Sequence, residues 1–176
     1  MGCEIGGDKS KAELATLESG KTYDVAVRTN KGDFTIELAT KTSPCTTASF
    51  VGLVQKGFFN GLIFHRIVPG FVIQGGDPSG DGTGGPGYST VDTPPADAQY
   101  TKGVVAMAKT PTVPAGTAGS QFFVVTGEDS GLTPDYAILG KVTEGLDVVE
   151  KIGRLGNAHE QPTERVEVKD MHVSTR

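Results

Sequence analysis

The stretch of sequence that decides the fold is FHRIVPGFVIQGGD, which covers Phe64–Asp77. Two short apolar runs within and beside it, Ile63–Ile67 and Phe71–Gln74, predict a pair of β-strands. Two polar side chains eight residues apart stand out from their apolar neighbours, Arg66 in the first run and Gln74 in the second. A guanidinium beside apolar side chains is costly unless its N–H donors are used. The pattern therefore fits either a binding surface or an arginine that a local carboxylate or carbonyl group satisfies.

Outward from this stretch, short apolar runs separated by turn residues predict a chain that is mainly β. Apolar and polar residues alternate in Tyr23–Thr29 and in Asp33–Leu38, and the segment Asn30–Gly32 between them predicts a hairpin turn. The remaining predicted strands are Val104–Ala108, Phe122–Thr126, Ala137–Val142 and Arg165–Val173, the last with a bulge near Asp170.

Two helices complete the predicted set of elements. Ser43 is a candidate N-cap and Pro44 a candidate first residue of a helix that ends near Lys56, before Gly57. A second helix is predicted over Gly145–Ile152. About eight strands, two helices and no internal repeat favour an antiparallel sheet closed into a barrel, with the helices covering its open ends.

Composition and charge argue against several classes of protein. The 176 residues include 25 Gly and 10 Pro without a repeat period, and both residues break helix interiors, which disfavours a helical bundle. The 16 Lys and Arg against 21 Asp and Glu give a formal net charge of −5, which disfavours sequence-independent nucleic-acid binding. No apolar run approaches the roughly 20 residues of a membrane-spanning helix. We expect one domain of ordinary size without a nucleic-acid partner.

The first 20 residues differ in character from the rest of the chain. They are polar, and Lys9–Leu17 has too few apolar positions to dock strongly as a helix. We expect a flexible N-terminal tail over residues 1–20 and a single domain over residues 21–176. Within that domain the long segment Pro78–Tyr100 has little predicted structure, and a loop of this length in a compact domain is usually functional.

The two cysteines leave alternatives open. Cys3 and Cys45 could form a disulfide, although a cysteine in a mobile tail is a poor partner. Cys3 could instead be the lipid-bearing cysteine of an exported protein, and the other interpretation is a cytoplasmic protein. We expect Cys45 to be an ordinary buried thiol rather than a redox-sensitive thiol near a helix start. No zinc site is predicted, because the three histidines are scattered along the chain, at His65, His159 and His172.

Neither a dinucleotide-binding loop nor a nucleophile elbow is predicted from the sequence. Gly82–Gly87 matches the letters of a dinucleotide-binding loop, but Pro86 interrupts it and Tyr88–Pro95 cannot open the helix that such a loop requires. Its glycines more simply let the backbone turn tightly or approach a ligand closely. Ser120 does not lie in the G-x-S-x-G sequence of a nucleophile elbow, so a serine hydrolase is not predicted.

A second informative run, Gly119–Thr126, again places a glutamine beside aromatic residues. Successive residues of a strand point to opposite faces, so only one of Phe122 and Phe123 can face the core. The other phenylalanine needs a different environment, such as a groove.

Four runs together resemble the signature sequences of the cyclophilin family of peptidyl-prolyl cis–trans isomerases, with a glycine-rich turn more similar to bacterial members. They occur in the family's order and at compatible spacing, and the resemblance extends over Tyr23–Val173. The four runs are Phe64–Asp77, Gly82–Gly85, Lys102–Ala108 and Gly119–Phe123.

The resemblance implies a closed eight-stranded antiparallel β-barrel capped by two α-helices, with a substrate groove on its outer face. It implies that Arg66 is the catalytic arginine, that Gln74 orients it and that Phe71 completes the catalytic set. The residues implied for substrate binding are Val72, Gly82, Ala108, Lys109, Gln121, Phe123, Leu132 and Tyr136. The resemblance also implies no cofactor or metal, a monomer, and proline-containing peptides and unfolded proteins as partners.

The sequence departs from the family pattern at three positions. Gly131 stands where many members have a tryptophan, Tyr136 stands where a histidine is frequent, and Lys109 lies in the run that is usually Ala-Asn-Ala. Because the indole of that tryptophan reaches a bound ligand, we expect weakened binding of the cyclic peptide cyclosporin and retained isomerase activity. The competing function is a non-catalytic module that binds proline-containing peptides.

Overall fold

Strands dominate the structure, a computed structural model that describes residues 2–176. The two predicted helices are present, and most predicted strands are present within one or two residues of their expected bounds. The strands are β1 (Gly6–Gly7), β2 (Tyr23–Thr29), β3 (Gly32–Leu38), β4 (Arg66–Val68), β5 (Val72–Gly75), β6 (Tyr88–Val91), β7 (Val104–Met107), β8 (Thr117–Ala118), β9 (Phe122–Val125), β10 (Ile138–Glu144) and β11 (Val168–Thr175), and the helices are α1 (Pro44–Gln55) and α2 (Leu146–Gly153).

Eight of the strands form one curled antiparallel sheet in the order β11-β2-β3-β10-β7-β9-β5-β4. The mainly β fold with two helices is thereby confirmed, as is the bulge near Asp170, where the register of β11 against β2 shifts. Strands β1, β6 and β8 form a second, three-stranded sheet that the sequence did not predict.

The predicted closure of the barrel is not confirmed, because the two edge strands β4 and β11 form no ladder with each other. The irregular chain before β4 joins β11 and the residues before it: Ile63 and Glu167 make an isolated bridge, and Val168 N–H, at the start of β11, donates to the carbonyl oxygen of Leu62 at 2.8 Å. Strand β4 is three residues long, and the chain before it turns at Gly57 and Gly61, both of which have positive φ. The large sheet is therefore a half-barrel.

Alternate residues of the central strands belong to two separate apolar clusters, one on each face of the sheet. Ile73 of β5 and Val124 of β9 lie in the main core, together with Val105 of β7. Their strand neighbours Val72 and Phe123 lie in a second cluster on the outer face. The period of two along each strand thus divides the apolar residues between a structural interior and a surface that can serve another purpose.

The N-terminal segment packs onto the domain, contrary to the expected flexible tail. Gly6–Gly7 pairs with β6, and the N–H of Ala15 donates to the carbonyl oxygen of Ala48 in α1 at 3.0 Å. The sequence pattern did not predict this docking because much of it depends on backbone hydrogen bonds rather than on an apolar stripe. Side chains of the segment that pack against the core are Ile5, Ala12, Leu14, Ala15 and Leu17.

Cys3 and Cys45 form a disulfide, with a distance of 2.12 Å between their sulfur atoms. The expected free, buried thiol at Cys45 is therefore wrong. The reason is that the docked N-terminal segment brings Cys3 to the first turn of α1, where Cys45 lies.

The long segment between β5 and β7 is more ordered than predicted. It contains β6, and the carboxylate of Asp92 accepts a hydrogen bond from the N–H of Thr46 at 2.6 Å, near the start of α1. Asp92 thus does the capping that the sequence assigned to Ser43, whose side chain makes no cap hydrogen bond. No helix among residues 2–176 is both long enough and apolar enough to span a bilayer.

Candidate active site

One row of directly opposed residues crosses four strands on the outer face of the half-barrel. Arg66 of β4 is the register partner of Gln74 in β5, and Gln74 is the partner of Phe123 in β9. Phe123 in turn faces Ala106 of β7. The sheet register therefore places a cation, an amide and an aromatic ring side by side on one surface, as the alternation of side chains in each strand requires.

A cleft of about 420 Å³ lies over this row. Its lining brings together nine of the residues that the family resemblance implied, and it joins strand residues to two loops that follow β7 and β9. The lining residues are Arg66, Phe71, Val72, Gln74, Ala108, Lys109, Phe123, Leu132 and Tyr136. The two other implied residues, Gly82 and Gln121, lie beside the cleft rather than in its lining.

A chain of hydrogen bonds links the arginine to the glycine-rich turn. Nη1 of Arg66 donates to Oε1 of Gln74 at 3.2 Å, and Nε2 of Gln74 donates to Oε1 of Gln121 at 3.1 Å. Nε2 of Gln121 then donates to the carbonyl oxygens of Gly82 at 3.0 Å and Gly84 at 2.9 Å. Each amide uses both its donor and its acceptor, so the chain fixes the orientation of both glutamine side chains.

The apolar end of the cleft is built from aromatic rings. Phe123 and Tyr136 meet edge to face with their ring centroids 5.5 Å apart. Phe123 is 4% exposed, and Phe71 and Leu132 pack against the same outer cluster. This end of the cleft is apolar, as a site for a small apolar ring requires.

The family model described as cyclophilin type peptidyl-prolyl cis–trans isomerase matches residues 24–173 of the chain. The chain belongs to the cyclophilin family. It is a cyclophilin-type peptidyl-prolyl cis–trans isomerase, as the sequence resemblance predicted.

Named relatives agree with this assignment. A peptidyl-prolyl cis–trans isomerase of Helicobacter pylori is 40% identical over 145 residues, which cover 80% of this chain and 86% of the relative. Peptidyl-prolyl cis–trans isomerase A of Mycobacterium tuberculosis is 36% identical over 172 residues, covering 87% of this chain and 93% of the relative. A cyclophilin-type isomerase of Cryptosporidium parvum, solved in the presence of the dipeptide Ala-Pro, superposes with a TM-score of 0.77 at 29% identity, covering 86% of this chain and 98% of that one.

In this cyclophilin the side chain of Lys109 joins the two loops that border the cleft. The side chain is 3% exposed, and its Nζ lies 2.6 Å from Oδ2 of Asp135. Nζ also donates to the carbonyl oxygens of Thr110 and Val113, each at 3.3 Å, and lies 5.8 Å from the centre of the Tyr136 ring. The sequence assigned a role to the backbone near Lys109 and missed Asp135, since no local pattern pairs the two.

Tyr100 is a second residue of the cleft region that the sequence missed. Its hydroxyl donates to the carbonyl oxygen of Tyr136 at 2.6 Å and accepts from the N–H of Tyr136 at 3.2 Å. Burial raises the pKa of Tyr100, although the hydrogen bond to the Tyr136 carbonyl opposes this effect, so the phenol stays protonated as a donor. Tyr100 thus fixes the backbone that carries one wall of the cleft.

The glycine-rich turn is anchored by the carboxylate of Asp77, which is 1% exposed. Backbone N–H groups of Ser79, Asp81 and Gly82 donate to it. Burial by itself would raise the pKa of Asp77, but these donors outweigh it and the pKa lies below its ordinary value. Asp77 therefore positions Gly82, and through Gly82 it supports the hydrogen-bond chain to Arg66.

Two titratable groups interact with the arginine, His65 through its charge and Glu160 through an ion pair. Burial lowers the pKa of His65, against the opposing effect of the Asp77 and Asp81 carboxylates, so its imidazole is neutral near pH 7. Oε1 of Glu160 lies 3.1 Å from Nε of Arg66. The sequence did not single out Glu160, which is 94 residues from Arg66 and lies in an irregular loop. Among residues 2–176, no group of three or more His, Cys, Asp or Glu side chains is placed to hold a metal ion.

Proposed function

We propose that the protein accelerates rotation about X–Pro peptide bonds in flexible or unfolded chains and so assists protein folding, with Arg66 as the catalytic group. The single observation that supports this best is the row of Arg66, Gln74 and Phe123 across three neighbouring strands, with a cation at one end of an apolar cleft. The Cryptosporidium parvum relative solved in the presence of the dipeptide Ala-Pro supports proline-containing peptides as ligands of this protein.

The chemistry needs neither a covalent intermediate nor a proton transfer. Amide resonance gives the X–Pro bond a rotation barrier of about 18–20 kcal/mol, so uncatalysed exchange takes tens to hundreds of seconds. In the twisted transition state the imide nitrogen loses conjugation and gains a lone pair. A fixed guanidinium can donate a hydrogen bond to that lone pair and gains little from the planar ground state, which is differential binding of the transition state.

Arg66 has donors left for this task. A guanidinium carries five N–H donors, and three of them point to Gln74 and Glu160. The remaining two can meet a substrate while the other three hold the group in place. We infer that Phe71, Phe123 and Leu132 hold the pyrrolidine ring, and that Gly82 borders the pocket for the residue before proline.

The test is the isomerase activity of Arg66→Ala, measured by magnetisation-exchange NMR on an Ala-Pro peptide. We expect kcat/KM to fall about 100-fold, the usual cost of losing a donor that acts on the transition state. Arg28→Ala is the matched control, because Arg28 pairs with Asp170 and lies outside the cleft. Peptide binding with no turnover in the wild type would instead favour the non-catalytic binding module, and unchanged activity of Arg66→Ala would exclude the mechanism.

We propose weakened cyclosporin binding as a consequence of Gly131, which offers no side chain where many cyclophilins carry an indole. Gly131 has a φ of +70°, and no described atom beyond its chain neighbours comes within 4 Å of the point where a Cβ would stand, so nothing around it replaces the missing ring. Calorimetric titration should give an affinity weaker than nanomolar. A nanomolar dissociation constant would contradict this proposal.

We propose an oxidising compartment as the location in which the protein works, because a disulfide persists there and is rare in the cytoplasm. A sulfur atom in a disulfide cannot also carry a lipid, so the disulfide argues against an anchor at Cys3. Thiol titration of the unfolded protein from its native host should find no free cysteine. Two free thiols, or a lipid on Cys3, would contradict the proposal.

A further inference from the structure

We propose that Glu160 is a positioning residue that holds the guanidinium of Arg66 in its working orientation. The inference rests on the isomerase function proposed above and adds a residue outside the cleft to its machinery. Three features support it: a two-pronged ion pair, a left-handed backbone conformation and direct attachment of the Glu160 loop to β4.

The ion pair engages the arginine on the side that Gln74 does not reach. Oε1 of Glu160 accepts from Nε of Arg66 at 3.1 Å, and Oε2 accepts from Nη2 at 3.4 Å. Gln74 takes the third nitrogen, Nη1, at 3.2 Å. All three nitrogen atoms are thus held by side chains from two different parts of the chain, which fixes the plane of the guanidinium as well as its position.

The backbone at Glu160 is unusual for its residue type. Glu160 has a φ of +60° and is the only non-glycine residue with positive φ among residues 2–176. The left-handed region is unfavourable for a side chain such as glutamate, and residues in it persist only where the surroundings impose the conformation. Glycine would adopt the same conformation without this cost. A glutamate at this position therefore points to a use for its side chain.

Hydrogen bonds of the backbone attach Glu160 to the strand that carries Arg66. The carbonyl oxygen of Glu160 accepts from the N–H of Ile67, the residue after Arg66, at 3.0 Å. The N–H of Glu160 donates to the carbonyl oxygen of Asn157 at 3.1 Å. The side-chain oxygen of Asn157 accepts from the N–H groups of His159 and Gln161, which closes the loop around Glu160. The carboxylate is consequently carried by a framework fixed to β4 itself.

Stability alone does not account for the pair. The side chains of Arg66 and Glu160 are 37% and 46% exposed, and exposed ion pairs contribute little to folding. Glu160 is also not among the residues that line the cleft, so it reaches the substrate only through Arg66. Its expected effect is on the orientation of the donors that meet the twisted imide, and therefore on kcat more than on KM.

The first experiment compares wild type, Glu160→Gly and Glu164→Gln in the same NMR exchange assay on an Ala-Pro peptide. Glycine removes the carboxylate and suits the positive φ, so the loop keeps its conformation. We expect Glu160→Gly to lower kcat about fivefold with KM changed less than about twofold, a modest misorientation effect. Glu164 belongs to the same loop region but pairs with Lys31, so Glu164→Gln should match the wild type.

Two further measurements separate positioning from a general structural effect. Raising the salt concentration to about 0.5 M should lower the wild-type kcat towards that of Glu160→Gly and leave the variant unchanged, because salt screens exposed ion pairs. In an Arg66→Ala background, Glu160→Gly should have no additional effect, since a positioning residue needs the group that it positions.

The outcomes that overturn the inference are distinct from those that overturn the proposed function. Wild-type activity with an unchanged kcat in Glu160→Gly would overturn the positioning role alone. A loss of activity that persists in the Arg66→Ala background would do the same, because it would show an action independent of the arginine. A wild type without isomerase activity would overturn the proposed function and the positioning role with it.

Discussion

Asp77 shows at the scale of a residue how a buried charge can serve a site that it does not enter. Its carboxylate is 1% exposed and pairs with no cation among residues 2–176, yet the N–H groups of Ser79, Asp81 and Gly82 donate to it. Several backbone donors converging on one carboxylate stabilise its ionised form. The turn that carries Gly82 therefore depends on the charge state of a single side chain.

This dependence leads to a pH prediction. The pKa of Asp77 is lower in the folded protein than its ordinary value of 3.8. The stabilisation is therefore fully present above the unfolded-state pKa and is lost as the pH falls through the folded-state pKa. In urea unfolding, Asp77→Asn should lose about 1–3 kcal/mol of unfolding free energy at pH 7, because an amide NH₂ would face N–H donors.

Urea unfolding of the same two proteins at low pH tests whether the charge of Asp77 causes the difference in stability. The difference between the wild type and Asp77→Asn should begin to shrink below about pH 4, where the carboxylate of the unfolded wild type takes up a proton, and should continue to shrink as the pH falls through the lower pKa of the folded state. Asp97→Asn is the matched control, since Asp97 is exposed, and it should leave the curve nearly unchanged. A constant difference from pH 7 to pH 2 would show that the charge of Asp77 is not what the turn uses.

At the scale of an element, two adjacent phenylalanines of β9 have different roles because they lie on opposite faces of the sheet. Phe122 is fully buried in the main core, where its ring meets those of Phe50, Phe59 and Phe64 at steep angles. Phe123 points the other way. It belongs to the second apolar cluster, on the outer face, and lines the cleft. One strand thus contributes to stability with one face and to the site with the other.

Substitution of the two residues should separate these roles. Phe122→Ala should lower the free energy of unfolding by about 3–5 kcal/mol, the usual cost of a large cavity in a core. Phe123→Ala should cost less stability and raise KM for an Ala-Pro peptide, because the cleft loses the ring that packs on Tyr136. Urea unfolding and the NMR exchange assay measure the two effects. Equal losses of stability and of activity in both variants would contradict the division.

The contrast between β9 and the Glu160 loop also explains how far the sequence could predict this protein. Alternation shows that Phe122 and Phe123 face opposite ways, so strands and a two-faced sheet follow from local pattern. Which phenylalanine enters the core depends on the neighbouring strands. The pair of Glu160 with Arg66 spans 94 residues and involves a loop without periodicity, so only the folded chain reveals it. The family resemblance supplied the cleft residues but not the partners peculiar to this chain, such as Asp135.

At the scale of the whole molecule, the N-terminal segment extends the domain instead of trailing from it. The disulfide joins Cys3 to α1, and the pairing of β1 with β6 holds the segment at a second point. A cross-link that closes a loop of this length restricts the unfolded chain by about 4 kcal/mol in the chain-entropy model. Neither cysteine lines the cleft, so this contribution bears on stability and not on turnover.

The close approach of the segment to α1 at Gly52 gives the sharpest test of its docking. A Cβ atom on Gly52 would lie 1.8 Å from the carbonyl oxygen of Glu13, so alanine cannot be accommodated unless the segment moves. Helix propensity alone predicts that Gly52→Ala stabilises the protein by about 1 kcal/mol. Docking predicts the opposite sign, a loss of about 1–3 kcal/mol from overpacking. Gly85→Ala is the control, because a Cβ there meets no described atom within 4 Å.

Urea unfolding with the disulfide intact measures whether Gly52→Ala raises or lowers the free energy of unfolding. Limited proteolysis should show cleavage within residues 2–22 only in Gly52→Ala. Isomerase activity should match the wild type, since neither Gly52 nor the segment contributes to the cleft lining. Reduction of the disulfide should add to the loss in Gly52→Ala, because β1 and β6 would then hold the displaced segment alone. A Gly52→Ala variant that is more stable than the wild type would contradict the docking. It would mean that the segment does not pack on α1 at Gly52 and that the higher helix propensity of alanine determines the effect.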